Sequence, residues 1–172
     1  MAVLHRYKSD IHGDYRRAYL LGGLAVGLLL AAYVVLRYLI GSPTVSTLSY
    51  VGDAILLVLI FLYAAYYRRS LPDGLVTLKE LMLLGVGTSL VAAVVYGLLL
   101  WAFGLACPAQ TVLFTNNMTA QEVTLQDPQL HYWAAWWAIG AAIETALLGS
   151  FGAFLAAIFL KTEKSEIKHR KK

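Results

Sequence analysis

Residues 131–160 read HYWAAWWAIGAAIETALLGSFGAFLAAIFL, and this stretch decides the fold. After the aromatic opening of residues 131–137, its one charged residue before Lys161 is Glu144. Small residues fall at Ala138, Ala142, Thr145, Gly149, Gly152 and Ala156, spaced four, three, four, three and four. That heptad-like stripe offers a flat face for a second helix. In a bilayer such close van der Waals packing, rather than exclusion of water, drives helices together. The stretch reads as a membrane helix with a packing face, an aromatic anchor and one costly carboxylate.

Three further segments carry the same signature. A span needs about 20 mostly apolar residues at roughly 1.5 Å rise each. Residues 18–40, 47–67, 79–103 and 132–160 meet that requirement. Composition agrees: 59% of the 172 residues are hydrophobic and 14% charged, against roughly 25% charged in a soluble domain. The expected fold is an all-α membrane protein of four transmembrane helices. Short hairpins join them, with one longer outer loop at 104–131. A basic arm, 1–17, and a basic tail, 161–172, flank the bundle.

The distribution of charge orients the spans. Thirteen of the fourteen Lys and Arg lie in the arm, in the second connection with the start of span three, and in the tail. The first connection, 41–46, and the third contain none. By the positive-inside rule both termini are cytoplasmic. Arg16, Arg17, Arg68, Arg69, Lys161 and Lys164 then stand where they meet anionic headgroups. The net charge of +4 is accounted for by lipid, and no nucleic-acid partner is expected. The arm carries Asp10 and Asp14 and precedes a full span, so no cleavable signal is read there. Cys107 is the only cysteine. It forms no internal disulfide or CxxC motif, and reads as a lone buried thiol or a link between two copies.

Individual positions sharpen the picture. Gly23, Gly27 and Ala31 of span one form a small-xxx-small series, which serves packing within the bundle or dimerisation. Gly85, Ser89, Ala92 and Ala93 mark a narrow side of span three. Thr77-Leu78-Lys79-Glu80 has the form of a capping box, which gives Glu80 a structural role. Thr119-Ala120-Gln121-Glu122 has the same form and is expected to cap a short interfacial helix. Asn117-Met118-Thr119 matches a glycosylation sequon, a tripeptide frequent by chance. Tyr63, Tyr66 and Tyr67 before Arg68 read as an interfacial aromatic belt, as do Tyr96 and Trp101 at the far end of span three.

Three charges lie inside the spans. Arg37 near the end of span one and Asp53 early in span two face each other across a short turn. Opposite charges at one depth in hydrocarbon tend to pair, so an Arg37–Asp53 ion pair is expected, with a place for Asp53 in an ion or proton path as the alternative. Glu144 lies about thirteen residues into span four, near the midplane at roughly 1.5 Å per residue. Helical stepping sets it at the margin of a bulky sector formed by Trp136, Ile143, Leu147 and Phe154, outside the tightest helix contact. It reads either as a neutral carboxyl hydrogen-bonded to a neighbour or as a relay, coupling or interface residue.

The hairpin between spans two and three adds a resemblance. The stretch Tyr66-Tyr67-Arg68-Arg69-Ser-Leu-Pro-Asp-Gly74-Leu-Val-Thr77-Leu-Lys79-Glu80, followed by Gly85 and Tyr96, resembles the bacterial membrane domain-of-unknown-function family 4199. The likeness extends to the four-span layout with a longer outer connection before the last span. Leu78 departs from it, since an aromatic is expected there. The resemblance implies a bacterial inner-membrane protein with no established activity.

Function is expected to be non-catalytic: an accessory or scaffold subunit, or a self-associating membrane module. Its partners would be the bilayer and other membrane subunits or a second copy. The small-residue faces, the short connections and the lack of a polar intramembrane cluster motivate this reading. The alternative is a small transporter or proton- or ion-coupled channel working as an oligomer through Glu144, with Arg37 and Asp53. Against it, the paired broken helices of many transporters are missing. An enzyme is not expected, because His5, His12, His131 and His169 are scattered and form no HExxH motif, and no GxSxG is found. His131, beside Tyr132 and Trp133, reads as an interfacial anchor rather than a contact for a quinone head. No metal or cofactor is expected.

Overall fold

A computed structural model of the chain describes residues 2–40, 46–71, 76–109, 111–112 and 127–161, with side chains in the first, second and fourth helices described from Tyr15, Tyr50 and Gln129 onward. The helices are α1 (Ala2–Leu39), α2 (Ser46–Ser70), α3 (Leu78–Ala106) and α4 (Asp127–Leu160). Each contains a segment long and apolar enough to cross a membrane, of 25, 21, 29 and 32 residues in turn. The cap at Thr119–Glu122, the sequon at Asn117, Lys164 with the rest of the tail, and the side chains of His5 and His12 lie outside the described residues.

The helices run past the expected spans. α1 continues back through the basic arm to Ala2, since no proline interrupts it. α4 starts at Asp127, with Pro128 in the first turn, where its missing N–H is no loss. α3 runs to Ala106, and Cys107 is its C-cap, donating its backbone N–H to the Phe103 carbonyl. The Cys107 thiol is half-buried at that cap rather than enclosed. A helical turn then returns the chain onto the end of α3, where the buried Thr111 Oγ1 donates to the Gly104 carbonyl at 2.9 Å. Gly104 is small by necessity. A Cβ there would lie 3.0 Å from Thr111 Oγ1 and 3.2 Å from the Ala134 Cβ.

The start of α3 is set by the capping box. Thr77 N–H donates to Glu80 Oε2 at 2.9 Å, and Glu80 N–H donates to Thr77 Oγ1 at 3.3 Å. Two otherwise orphaned donors are thereby satisfied. Thr77→Ala is expected to cost about 1 kcal/mol and to lower the thermal midpoint of the detergent-solubilised protein, while Thr77→Ser retains it. An unchanged midpoint for Thr77→Ala would mean that the buried Val76 alone anchors this helix start.

α3 is the hub of the bundle. It packs most extensively on α4 and next on α1, while α2 lies against α4 and touches α1 and α3 more sparingly. Among the described residues α1 and α4 do not pack on each other, so the order around the bundle is α1, α3, α4, α2. Gly23 and Gly27 of α1 are buried against Val91 and Val95 of α3. Ala31, one turn on, is half-buried. That face of α1 is therefore occupied from within the chain. On α4, Ala138, Thr145, Gly149, Gly152 and Ala156 are buried and Ala142 half-buried. The stripe meets two helices: Gly149 lies against Ser89 and Ala142 against Gly97 of α3, while Gly152 lies against Leu57 of α2; Gly85 of α3 meets Ala153 beside the stripe.

Small residues fill the closest helix contacts, and large apolar residues face outward as well as inward. Ala92, Thr88 and Ser89 of α3 are at 0% exposure, as is Leu84, while Leu21, Leu147 and Phe159 are 66%, 68% and 72% exposed. Such an apolar exterior would be an aggregation liability in water. It is the composition expected where the surroundings are themselves hydrocarbon. The Ser89 hydroxyl is accommodated by donating to the Gly85 carbonyl one turn back, at 2.7 Å.

Aromatic contacts show which ends coincide. Tyr15 of α1 meets Tyr67 of α2 edge to face at 5.7 Å, and the Tyr63 hydroxyl donates to the Ala18 carbonyl. Two of the tyrosines expected to form a belt thus bind helices together, and Tyr66 is left exposed. Arg16, Arg17, Arg69 and Lys161 are exposed at this end, and Arg68 is half-buried. At the opposite end Tyr38 of α1 packs on Phe103 of α3 at 5.5 Å, and Phe103 packs on Trp137 of α4 at 6.4 Å. The helices therefore alternate up and down, with Arg16, Arg17, Arg68, Arg69 and Lys161 at one end and an aromatic tier, with Arg37 nearby, at the other.

Candidate functional site

The gap between α1 and α4 is a cavity of about 180 Å³, near the aromatic tier. Every helix contributes to it, and the three charges within the candidate spans line it: Arg37 from α1, Asp53 from α2 and Glu144 from α4. Local helical geometry explains how. Tyr33 and Arg37 stand one turn apart on α1, and Arg37 holds its guanidinium 5.9 Å from the Tyr33 ring centre. On α4, Trp137, Ala141, Glu144 and Thr145 fall on one face at helical spacing and all reach the cavity. Gly52 of α2 leaves room beside the Tyr33 ring, where a Cβ would lie 3.2 Å away.

Tyr96 of α3 forms part of the wall, close enough to Glu144, Arg37, Asp53 and Tyr33 to interact with each electrostatically. Glu144 and Asp53 likewise interact through their charges. Two carboxylates and one guanidinium thus share one part-enclosed space with three phenols, those of Tyr33, Tyr38 and Tyr96. With both acids ionised the set carries one net negative charge. Arg37 and Asp53 are each half-buried, while Glu144 is exposed, so the cavity is not sealed at α4.

The sequence singled out Arg37, Asp53 and Glu144, and the fold brings all three together. The expectation of no polar intramembrane cluster is thereby corrected. Asp53 and Glu144 are distant in sequence, and only the packing of α2 against α4 makes them neighbours. Tyr33, Tyr38 and Trp137 are cavity residues that the sequence did not mark as such. The spacing of Tyr33 to Arg37, and of Trp137 to Glu144, was the available signal. Tyr96, read as lying toward the outer end of span three, turns inward there and lines the cavity.

The remaining candidates lie elsewhere. The headgroup set Arg16, Arg17, Arg68, Arg69 and Lys161 is at the other end of the bundle, far from the cavity. Among the described residues no group of three His, Cys, Asp or Glu is placed to hold a metal ion. A second, apolar groove of about 290 Å³ runs between α3 and α4, lined by Gly97, Trp101, Ala135, Ala138 and Ala142 among others. No family model matches the chain. No curated protein and no solved structure matches it.

Proposed function

We propose that this chain is a small multi-pass membrane protein that couples to protons or small cations through the cavity shared by Arg37, Asp53 and Glu144. The observation that carries the reading is the convergence of those three charges from three helices in one space of about 180 Å³. Isolated intramembrane charges cost several kcal/mol, so their collection around a polar space marks an ion or substrate route. With Arg37 offsetting one carboxylate, the other is left to accept a proton or a cation. The space is also roomy enough for several waters, each needing about 30 Å³ in the liquid. The function is binding and passage, with no catalytic step.

Both termini are assigned to the cytoplasmic side, on the support of the basic residues gathered at one end. A bacterial inner membrane is the assigned location, on the support of the hairpin's resemblance to family 4199. Flux into proteoliposomes of the purified chain tests the function, read with an internal pH dye and with sodium. Glu144→Gln is expected to lower the cation or proton flux about tenfold, equivalent to roughly 1.4 kcal/mol on the transport barrier. Flux equal to wild type would remove the reading.

A second reading is favoured by the α3–α4 groove. Gly97, Ala135, Ala138 and Ala142 leave a shallow apolar trough there on the exterior. A transmembrane helix of another subunit fits such a surface. On this reading the chain is an accessory subunit. The mass of the intact assembly drawn gently from its own membranes separates the two: a defined hetero-complex supports the subunit, a monomer or homodimer the carrier.

A further inference from the structure

The walls of the central cavity are aromatic as well as acidic, and this narrows the class of cation. On α4, Trp137 and Glu144 are seven residues apart, a rise of roughly 10 Å on the same face. Ala141 lies between them, and its single methyl leaves the intervening space open. The Trp137 ring packs on Phe103, which packs in turn on Tyr38. Tyr96 closes the space from α3. A carboxylate, an indole and a phenol thus surround one gap, the arrangement that recognises a positively charged group whose own surface is apolar.

Resting on the proposed cation-accepting role of the cavity, we infer that its ligand is a compact organic ammonium, seated between the Trp137 ring and the Glu144 carboxylate. Two carboxyl groups beside one guanidinium favour a cation over an anion. A bare divalent metal ion finds no group of three ligating side chains among the described residues. Size fits the same class: a cavity of about 150 Å³ holds benzene, so about 180 Å³ admits a cation with a few methyl groups. The indole face supplies what a small inorganic cation does not need, because sodium keeps its water while a methylated ammonium sheds it cheaply against aromatic carbon.

The test is a binding titration of the purified full-length chain in nanodiscs, with tetramethylammonium chloride, sodium chloride and the neutral isostere tert-butanol. Tetramethylammonium is expected to bind saturably and tert-butanol not at all. Trp137→Leu is expected to weaken tetramethylammonium about tenfold, within the range of a desolvated cation–π contact. Trp137→Tyr should retain most of the affinity, and Glu144→Gln should abolish it. Trp136→Leu, at the exposed neighbouring position, should leave it unchanged. Sodium binding that needs Glu144, without any tetramethylammonium binding, would overturn the ammonium while leaving the cation reading intact. Tetramethylammonium binding indifferent to both Trp137→Leu and Glu144→Gln would overturn the site. Neither cation binding, together with no proton flux, would overturn the ammonium and the cation reading alike.

Discussion

Gly149→Leu is expected to prevent assembly of the bundle, or to destabilise it by about 3 kcal/mol or more, at the upper end of the cost of overpacking a filled core. Gly149 is buried at the α3–α4 contact, the largest in the molecule. A Cβ there would already stand 2.5 Å from Ser89 Oγ and 2.7 Å from Ser89 Cβ. Ser89 cannot move away freely, because it is fully buried and its hydroxyl is engaged with the Gly85 carbonyl. The added leucine must therefore push the helices apart. Separation also opens the cavity, which α4 lines on one side. Retained monodispersity on size exclusion and an unchanged thermal midpoint would show that α3 and α4 do not pack as described. Leucine at Gly140, which has open space around it, is the matched control and should be tolerated.

Arg37→Met is expected to destabilise the protein by about 2 kcal/mol. Removing one member of a fully buried ion pair costs about 3–5 kcal/mol, because the other charge is left without compensation. Arg37 and Asp53 are each half-buried, and partial access to solvent reduces that penalty. Both line one cavity with Glu144, and the expected pairing of Arg37 with Asp53 would put the loss mainly on Asp53. Asp53→Asn in the Arg37→Met background should therefore recover much of the lost stability, whereas Asp53→Asn in the native background should not stabilise. Thermal unfolding of the four variants forms a double-mutant cycle. Purely additive effects would show that Arg37 and Asp53 line the same cavity without mutual support.

Much of the architecture was legible because long apolar helices obey strong local rules. The stripe at Ala138, Thr145, Gly149 and Gly152 is buried, and the bulky sector at Trp136, Ile143, Leu147 and Phe154 is exposed. Both follow from a period of 3.6 residues and need no knowledge of the partner helix. The capping box at Thr77 and Glu80 was legible for the same reason, since it spans only four residues. Glu144 at the sector margin was also legible. What lay opposite it was not. The arrangement that places α2 beside α4 and leaves α1 and α4 apart has no signature within any single helix, because each apolar face is compatible with several neighbours.

The tyrosines show the same limit. Tyr63, Tyr66 and Tyr67 look alike in sequence, at the end of one helix beside paired arginines. One bonds to the Ala18 carbonyl, one packs on Tyr15 and one is exposed. The 100° between successive residues separates their directions, but what each direction meets depends on where α1 lies. Tyr96 turned inward for the same reason.

The sequence by itself determined that the chain forms four long apolar helices, where the third begins, which face of the fourth is flat, and which three charges stand within the spans. These are consequences of hydropathy, helical period and capping chemistry, all of them short-range. The tertiary structure alone decided that α3 is the hub, that Gly23 and Gly27 are spent on packing within the chain, and that Arg37, Asp53 and Glu144 meet with Tyr33, Tyr96 and Trp137 around one cavity. The physical reason is that small-residue packing sets helix order. A polar site built from single residues on separate helices exists only once that order is fixed.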